Sequence, residues 1–493
     1  MWTVLLLLGV VVVAVATGVL LHAIALQRKR RRYSHIPGPP LSSFYLGHTP
    51  MLREIGKRGT PFHDWISELV RVHGPVFVLW FCTRPVVFLC DSDGAKDVLT
   101  CPKSAFVYNR SQRVYGARFL GNGLANDVDR DRWRRRRHVI ASAFTRTALK
   151  RRMTDFNESV DRFVDRLANG GGETIWKMKR EFPALTLDAI ARVAFGSTTR
   201  FDGGALLGVL QRAISAYSAA GIDPYAPFSP WKNAHVRNCR RACVDLRRAA
   251  LQIVRQRVTS TSTTTTTEST ALDRIIQSEL ASGRDVTNEE NSTAVDDVAT
   301  LLVAGFDPAS VALTCAVSEL SRNRQMETKL IDEINSVLGN RKHVTLDDVS
   351  QLAYTSCVFK EVLRLCPPAY ASVRTLVDAR TYAGVAVPAG SDVAVNFFAL
   401  HRQEKYWKDP DTFNPDRFAS PINANAFMPF SSGERVCAGN VVAEILVKMT
   451  LARLYQTFRI RLVDEEEKLV FDQDMILRPR TDLLCRIEPR SLF

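Results

Sequence analysis

The apolar and polar positions divide the chain sharply at its start. "VLLLLGVVVVAVATGVLLHAIAL", Val4 to Leu26, contains no charged side chain, and "RKRRR", Arg28 to Arg32, follows it directly. As a helix the apolar run would be about 34 Å long, enough to cross a hydrocarbon core of about 30 Å. It is longer than the apolar part of a cleaved signal peptide, and its positive flank lies on the opposite side. With the basic cluster on the cytosolic side, the rest of the chain is expected in the cytosol. Residues 1–27 therefore read as an anchor helix. Residues 28–40 form a basic, proline-rich linker, because "HIPGPP" cannot continue a helix. Residues 41–493 read as one folded body.

Within the body, "PVFVLWF" and "RPVVFLC" flank "CTR" over residues 75–90 and predict a hairpin of β-branched and aromatic strands. Helical periodicity dominates from there to about residue 365. It is interrupted by "TSTSTTTTTEST", Thr259 to Thr270, which has nothing to bury and predicts a flexible surface loop (259–270). After Pro367 the pattern turns to short strands, as in "LVDARTYAGVAVPAGSDVAVNFFAL", before a last long helix beyond residue 439. The expected class is mainly α (α+β), a large helical part with small sheets. No GxGxxG follows any strand, which argues against a dinucleotide fold.

Charge and cysteine content change the picture only in part. Sixty-six basic and 51 acidic residues give a net charge of +15, which suits an acidic partner or an anionic lipid surface. The arginine run "DRDRWRRRRH" lacks interleaved aromatics, so nucleic acid is not the expected partner. Ten scattered cysteines in a cytosolic body read as free thiols. His235, Cys239 and Cys243 share a helix face, but no fourth ligand lies nearby, so a small-residue face is expected there instead of zinc.

One cysteine is set apart. "FMPFSSGERVCAGN" places Cys437 between Gly433 and Gly439, after Phe430 and Arg435, and immediately before the last long helix. The glycines permit close approach of a flat ligand or a positive φ, and a thiolate beside a helix start is stabilised by free N–H donors. Arg435 offers a cation to an anionic ligand group. These are the needs of a thiolate bound axially to haem iron. Glu361 and Arg364, at i and i+3, can pair on one helix, and Arg417 in "FNPDRF" can cap that pair. Trp133 and Arg137, at i and i+4, put an indole N–H and a guanidinium on one face, suited to a carboxylate. The neighbouring Arg132, Arg134, Arg135 and Arg136 read as an exposed basic face that would suit an acidic electron donor.

Together these motifs, in this order along essentially the whole chain, resemble the cytochrome P-450 family of haem-thiolate monooxygenases. The resemblance implies haem b (iron protoporphyrin IX) with Cys437 as its metal ligand, and Trp133, Arg137, Arg435 and Arg374 ("ASVRT") as propionate contacts. It implies a structural set of Glu361, Arg364 and Arg417, an NADPH-cytochrome P-450 reductase and O2 as partners, and a single-pass location in the endoplasmic reticulum membrane. The body over 41–493 is then the haem-binding catalytic domain. "YSHIPGPPLSSFYLGHTP" and "RFLGNGL" resemble the cholesterol 24-hydroxylase branch, which implies a small lipophilic substrate, a sterol. "SAYSAAGIDPYAPFSPW", Ser215 to Trp231, could form a membrane-facing lip or an ordinary inter-helix loop.

The central helix departs from the family pattern. "LLVAGFDPAS" gives Ala304, Gly305, Phe306, Asp307 and then Pro308 where the family carries a threonine that helps deliver protons. Proline has no N–H, so the Ala304 carbonyl is left without its helical donor and a kink is expected. That carbonyl could hold a water fed with protons by Asp307. Ser310 lies about 200° round the helix and is not expected to substitute. The alternatives are a haem-thiolate isomerase or dehydratase that works without a reductase, or a non-catalytic haem- or lipid-binding membrane protein.

Overall fold

The computed structural model describes residues 2–104, 119–171, 174–196, 202–222, 233–261, 269–288 and 292–490. The apolar run forms a helix, Trp2–Tyr33, that continues through the basic cluster and ends six residues beyond the expected boundary at 27. The linker is correspondingly short and is not a free elbow. Val78 donates its N–H to the Pro37 carbonyl at 2.8 Å, and a Cβ on Gly38 would stand 2.6 Å from the Val78 carbonyl oxygen. The proline segment therefore lies flat on a strand, with only glycine tolerated at the point of closest approach.

That strand is Val76–Phe81, which pairs antiparallel with Arg84–Leu89 in the expected hairpin. Cys82, in the turn, takes a φ of 54°. The second strand runs parallel to Asp392–Asn396, which in turn pairs antiparallel with Ala371–Thr375, closing a four-stranded sheet. A three-stranded sheet joins Ile175–Lys177, Leu484–Pro489 and Phe458–Leu462, and two short two-stranded pairs complete the β structure of the described residues. Val76, Val78 and Trp80 bury against Leu26 and Tyr33, so the base of the N-terminal helix shares a core with the sheet.

The larger core is helical. Thr293–Arg322 runs through its middle, almost entirely buried, against Met178–Phe195, Ala234–Thr261, Ala353–Leu365 and Asn440–Thr457. Ser292 caps its start by accepting from the Val295 N–H. The helix is assigned without a break across Pro308. Gly305 permits its closest helix contact, since a Cβ there would come 2.4 Å from the Ile190 side chain. Among the described residues, two helices are long and apolar enough to cross a membrane, Trp2–Tyr33 with mean hydropathy 3.0 and this central helix with 1.6, but the second is buried inside the body.

Two sequence readings fall partly outside the described residues. The threonine tract begins as the end of the helix Ala234–Thr261, and Thr270 caps the helix Ala271–Ala281; residues 262–268 lie outside. Ser215 to Ile222 belong to the helix Gly203–Ile222, and residues 223–232 lie outside. Cys239 and Cys243 are buried with their sulfurs 3.8 Å apart, while His235 is exposed; none of the ten cysteines is in a disulfide.

Candidate functional site: a cysteine on the wall of an interior cleft

The loop that carries Cys437 is built on backbone contacts. Gly433 has a φ of 74°, and a Cβ there would stand 2.3 Å from the Leu99 carbonyl oxygen, so the loop closes on its neighbour only with glycine. The Cys437 N–H donates to the Phe430 carbonyl at 3.0 Å, and the Phe430 ring packs against Phe359. The helix Asn440–Thr457 starts at once, with Gly439 at its cap and no side chain filling the cap position. A Cβ added to Gly439 would meet nothing within 4 Å. Cys437 is accessible to solvent and yet hemmed in by protein on most sides, which describes a residue on the wall of an interior cleft. Burial pushes its thiol up, while the Gly439 N–H and the Arg137 guanidinium pull it down.

Arg137, Trp133 and Arg435 converge beside this loop. Arg435 lies over the Trp133 ring at 4.7 Å and donates to the carbonyls of Leu124 and Asp127. Arg137 is held down from its ordinary value by burial and carries no carboxylate or carbonyl partner among the described residues. Their helix, Arg130–Ala143, is capped by Asp129, which accepts from the N–H groups of Asp131 and Arg132. Arg374 lies on its strand, buried, and donates to the Ser372 hydroxyl at 2.8 Å and to the Val373 carbonyl.

The expectation of a basic face on this helix needs correction. Arg130 and Arg134 both clasp Glu434 of the cysteine loop, at 2.5 and 2.8 Å. Arg132 pairs with the fully buried Asp127 at 2.6 Å. Arg136 is itself buried between Asp127 at 3.1 Å and Asp297 at 2.5 Å. Burial pushes Asp297 up to about 6 even with Arg136 against it. Arg134 and Arg135 are exposed as expected, but Arg136 is buried, and the paired arginines tie the cysteine loop and the central helix to this helix and to segment 119–129; spacing within one helix could not reveal acids that arrive from elsewhere.

Behind the loop, the buried carboxylate of Glu361 accepts from Arg364 at 2.7 and 2.8 Å, from Arg417 at 3.0 Å and from the Asn414 N–H at 2.8 Å. Arg364 also donates to the carbonyls of His401, Pro410 and Thr412, which pins the 401–417 segment. His401, not anticipated from sequence, closes the link to the cysteine loop: its Nε2 accepts from the Met428 N–H at 3.1 Å. Burial, then Arg364 and Arg402, push His401 down to about 3, so it is neutral and fit to accept.

On the central helix, Ala304 is exposed and Gly305 and Pro308 are half-exposed, while the flanking turns are buried. Such a bare patch in the middle of a core helix marks it as a second wall of a cleft. Asp307 points elsewhere. It is buried, pushed up by that burial, and paired with Arg478 of the strand Leu477–Pro479. Ser310 donates to the Asp307 carbonyl at 2.7 Å. Thr186, which sequence reasoning missed, donates its hydroxyl to the Phe306 carbonyl at 2.8 Å. Nothing in the local pattern of "FPALTLDAI" distinguishes it from an ordinary buried threonine.

The donor set fits an iron protoporphyrin: a thiol with an N–H donor, two cations beside an indole, and open space over Gly439. Cys437 would ligate the metal, and Arg137, Trp133 and Arg435 would hold anionic edge groups. Comparison with known proteins agrees. The family model described as "Cytochrome P450" matches residues 37–486. The chain is 24% identical to rat (Rattus norvegicus) "Cytochrome P450 4V2", with 97% of this chain and 94% of the relative aligned. It is 26% identical to "Leukotriene-B4 omega-hydroxylase 3" of Mus musculus, covering 99% and 96%. It is 28% identical to "Cytokinin hydroxylase" of Arabidopsis thaliana, covering 78% and 75%. The cholesterol 24-hydroxylase likeness finds no support among these relatives. A cysteine loop and cleft of this construction, carried on a chain that matches the model over nearly its full length, make this protein a member of the cytochrome P-450 family, a haem-binding monooxygenase.

Proposed function

We propose that the protein is a membrane-anchored monooxygenase of the endoplasmic reticulum that hydroxylates an acyl-chain lipid, with electrons from an NADPH-dependent reductase. The observation that carries this reading is Cys437 on the cleft wall, where the Gly439 N–H and Arg137 offset part of the burial that pushes its thiol up. When bound, haem supplies the oxygen-activating chemistry; the chain's own residues hold it, exclude water and position the substrate. The exposed patch at Ala304, Gly305 and Pro308 leaves room for an apolar group, with no hydroxyl on Pro308 to donate a proton. Asp307 is engaged by Arg478, so a proton route through it requires that pair to open. The relative named for ω-hydroxylation of leukotriene B4 supports an acyl-chain lipid ahead of the sterol first expected. An N-terminal helix with no buried residue across its most apolar 18-residue stretch supports the anchor.

The test is turnover by purified full-length protein with reductase against a panel of fatty acids and sterols. Hydroxylated fatty acid that depends on NADPH and O2 is the expected result. Sterol turnover alone would overturn the substrate class. Product from a lipid hydroperoxide without NADPH would favour an isomerase or dehydratase. Cys437→His should move the reduced carbon monoxide band to shorter wavelength; an unchanged spectrum would remove Cys437 as the ligand.

A further inference from the structure

The turn at 121–123, "GNG", is keyed to the start of the central helix Thr293–Arg322. Gly121 has a φ of 56°, and a Cβ there would run into the Asp296 carboxylate. A Cβ on Gly123 would stand 2.6 Å from the Asp296 carbonyl oxygen and would also strike the Thr300 hydroxyl. Glycine at both positions lets the backbone lie this close to a helix. The contact sets two N–H groups on two adjacent acids: Asn122 donates to Asp296 at 2.8 Å, and Leu124 donates to Asp297 at 2.9 Å. A hydrogen bond to an ionised acceptor is roughly twice as strong as a neutral one.

Leu124 also serves the cysteine loop. Its carbonyl accepts from Arg435 at 3.0 Å, and the Asp127 carbonyl accepts from the same guanidinium. With the Trp133 ring 4.7 Å away, two carbonyls and an indole fix the plane of that group. A guanidinium carries its N–H donors in a rigid fork, so the placing of these two carbonyls decides where the remaining donors aim. Arg136 locks the same segment from the other side. It donates to Asp297 at 2.9 Å, to Asp127 at 3.1 Å and to the Asn122 carbonyl at 2.5 Å.

We infer that Asp297 is a positioning residue for the haem carboxylates: it holds Leu124 in place, and Leu124 holds the Arg435 guanidinium that would meet them. The inference rests on the reading of Arg435 as a contact to that edge of the haem. Around Asp297 stand Arg136 of the helix Arg130–Ala143, Asp127 of the segment, and Asp296 of its own helix. Arg247 pairs with Asp296 and Arg132 with Asp127, while Glu279, paired with Arg284, accepts from the Thr293 hydroxyl. Burial raises the Asp297 titration to about 6, with Asp296 adding to the rise and Arg136 and the Leu124 N–H opposing it. Loss of the charge weakens the grip on both Leu124 and Arg136. The setting of Arg435 should therefore relax as pH falls through that value.

Resonance Raman spectra of purified holoprotein report the bending band of the haem carboxylates. In the native protein that band should shift between about pH 7.5 and about pH 5, either side of the Asp297 titration. Asp297→Asn keeps a neutral oxygen for the Leu124 N–H, as the protonated acid does. Its band at the higher pH should sit where the native band sits at the lower, and should stay there. Haem transfer to apomyoglobin at the higher pH is the second readout. Gly123→Ala lifts the segment from the helix without changing any charge, and should release haem several-fold faster than the native protein. Asp273→Ala breaks a buried pair with Arg257 on two other helices, and should stay within about twofold of native. A native band indifferent to pH, or one that moves equally in Asp297→Asn, would overturn the inference, and this comparison stands even where Gly123→Ala fails to fold. Haem release from Gly123→Ala no faster than from Asp273→Ala would overturn it as well. Native protein that purifies without haem would instead overturn the reading of the site itself.

Discussion

Glu361→Gln tests whether the buried pair behind the cysteine loop holds that loop in place. Neither Glu361 nor Arg364 exposes any side-chain surface. The substitution preserves volume but removes the negative charge and turns one acceptor oxygen into an NH2 facing a guanidinium, leaving Arg364 with one neutral amide oxygen at most beside the carbonyls of His401, Pro410 and Thr412. Removing one partner of a buried ion pair costs about 3–5 kcal/mol, because the remaining charge stays desolvated. With Arg417 also losing its carboxylate, the upper part of that range is expected. Against a typical total stability of about 5–15 kcal/mol, a loss of this size removes much of the margin. Urea titration followed by far-ultraviolet circular dichroism measures it, and the haem content of the purified variant reports the consequence at the cysteine loop. The double variant Glu361→Gln, Arg364→Met should lose less than the single change, since no orphaned cation is left. A single-variant loss below about 1 kcal/mol, the scale of a surface pair, would refute the reasoning.

Three further outcomes are expected. Gly433→Ala must hold a positive φ and push against the Leu99 carbonyl, so it should cost about 2 kcal/mol or more in the same titration, whereas Gly439→Ala should barely change it. His401, ordinarily titrating at 6.5, is depressed to about 3 in the fold, so its contribution is complete above about pH 6.5 and is lost as pH falls towards 3. The stability gap between the native protein and His401→Gln should therefore narrow by about 2 kcal/mol between about pH 6.5 and pH 5, and a constant gap would contradict the assignment. Pro308→Thr restores an N–H to the Ala304 carbonyl and a hydroxyl to the cleft wall, and it should raise product formed per NADPH consumed; equal coupling would mean that another group already handles proton delivery.

Much of the architecture was legible because its causes are local. The hairpin at 75–90, the shift from helix to strand after Pro367 and the helix after Cys437 all follow from side-chain type and turn residues over a few positions. The Glu361–Arg364 pair was legible for the same reason, being one helical turn long. What was not legible comes from contacts between distant segments. No spacing within Arg130–Ala143 reveals that Glu434, Asp127 and Asp297 arrive to neutralise it. Likewise Asp307 looked like a free acid until a strand 171 positions away brought Arg478 to it. The N-terminal helix runs six residues past the expected boundary at 27, because arginines are good helix formers and Arg30 and Arg32 find the carbonyls of Ser43 and Ala389.

The internal neutralisation of the arginine helix changes how a redox partner would meet this protein. Net charge, read from composition, suggests long-range attraction that weakens steeply with ionic strength. Ion pairs within one molecule act at a distance as small dipoles, and beyond a Debye length of about 8 Å their pull is nearly gone. Of that arginine run, Arg135 alone is both exposed and outside any close ion pair among the described residues, with Asp129 acting on it only at longer range. A redox partner that docks on this face should therefore show a shallow response to added salt.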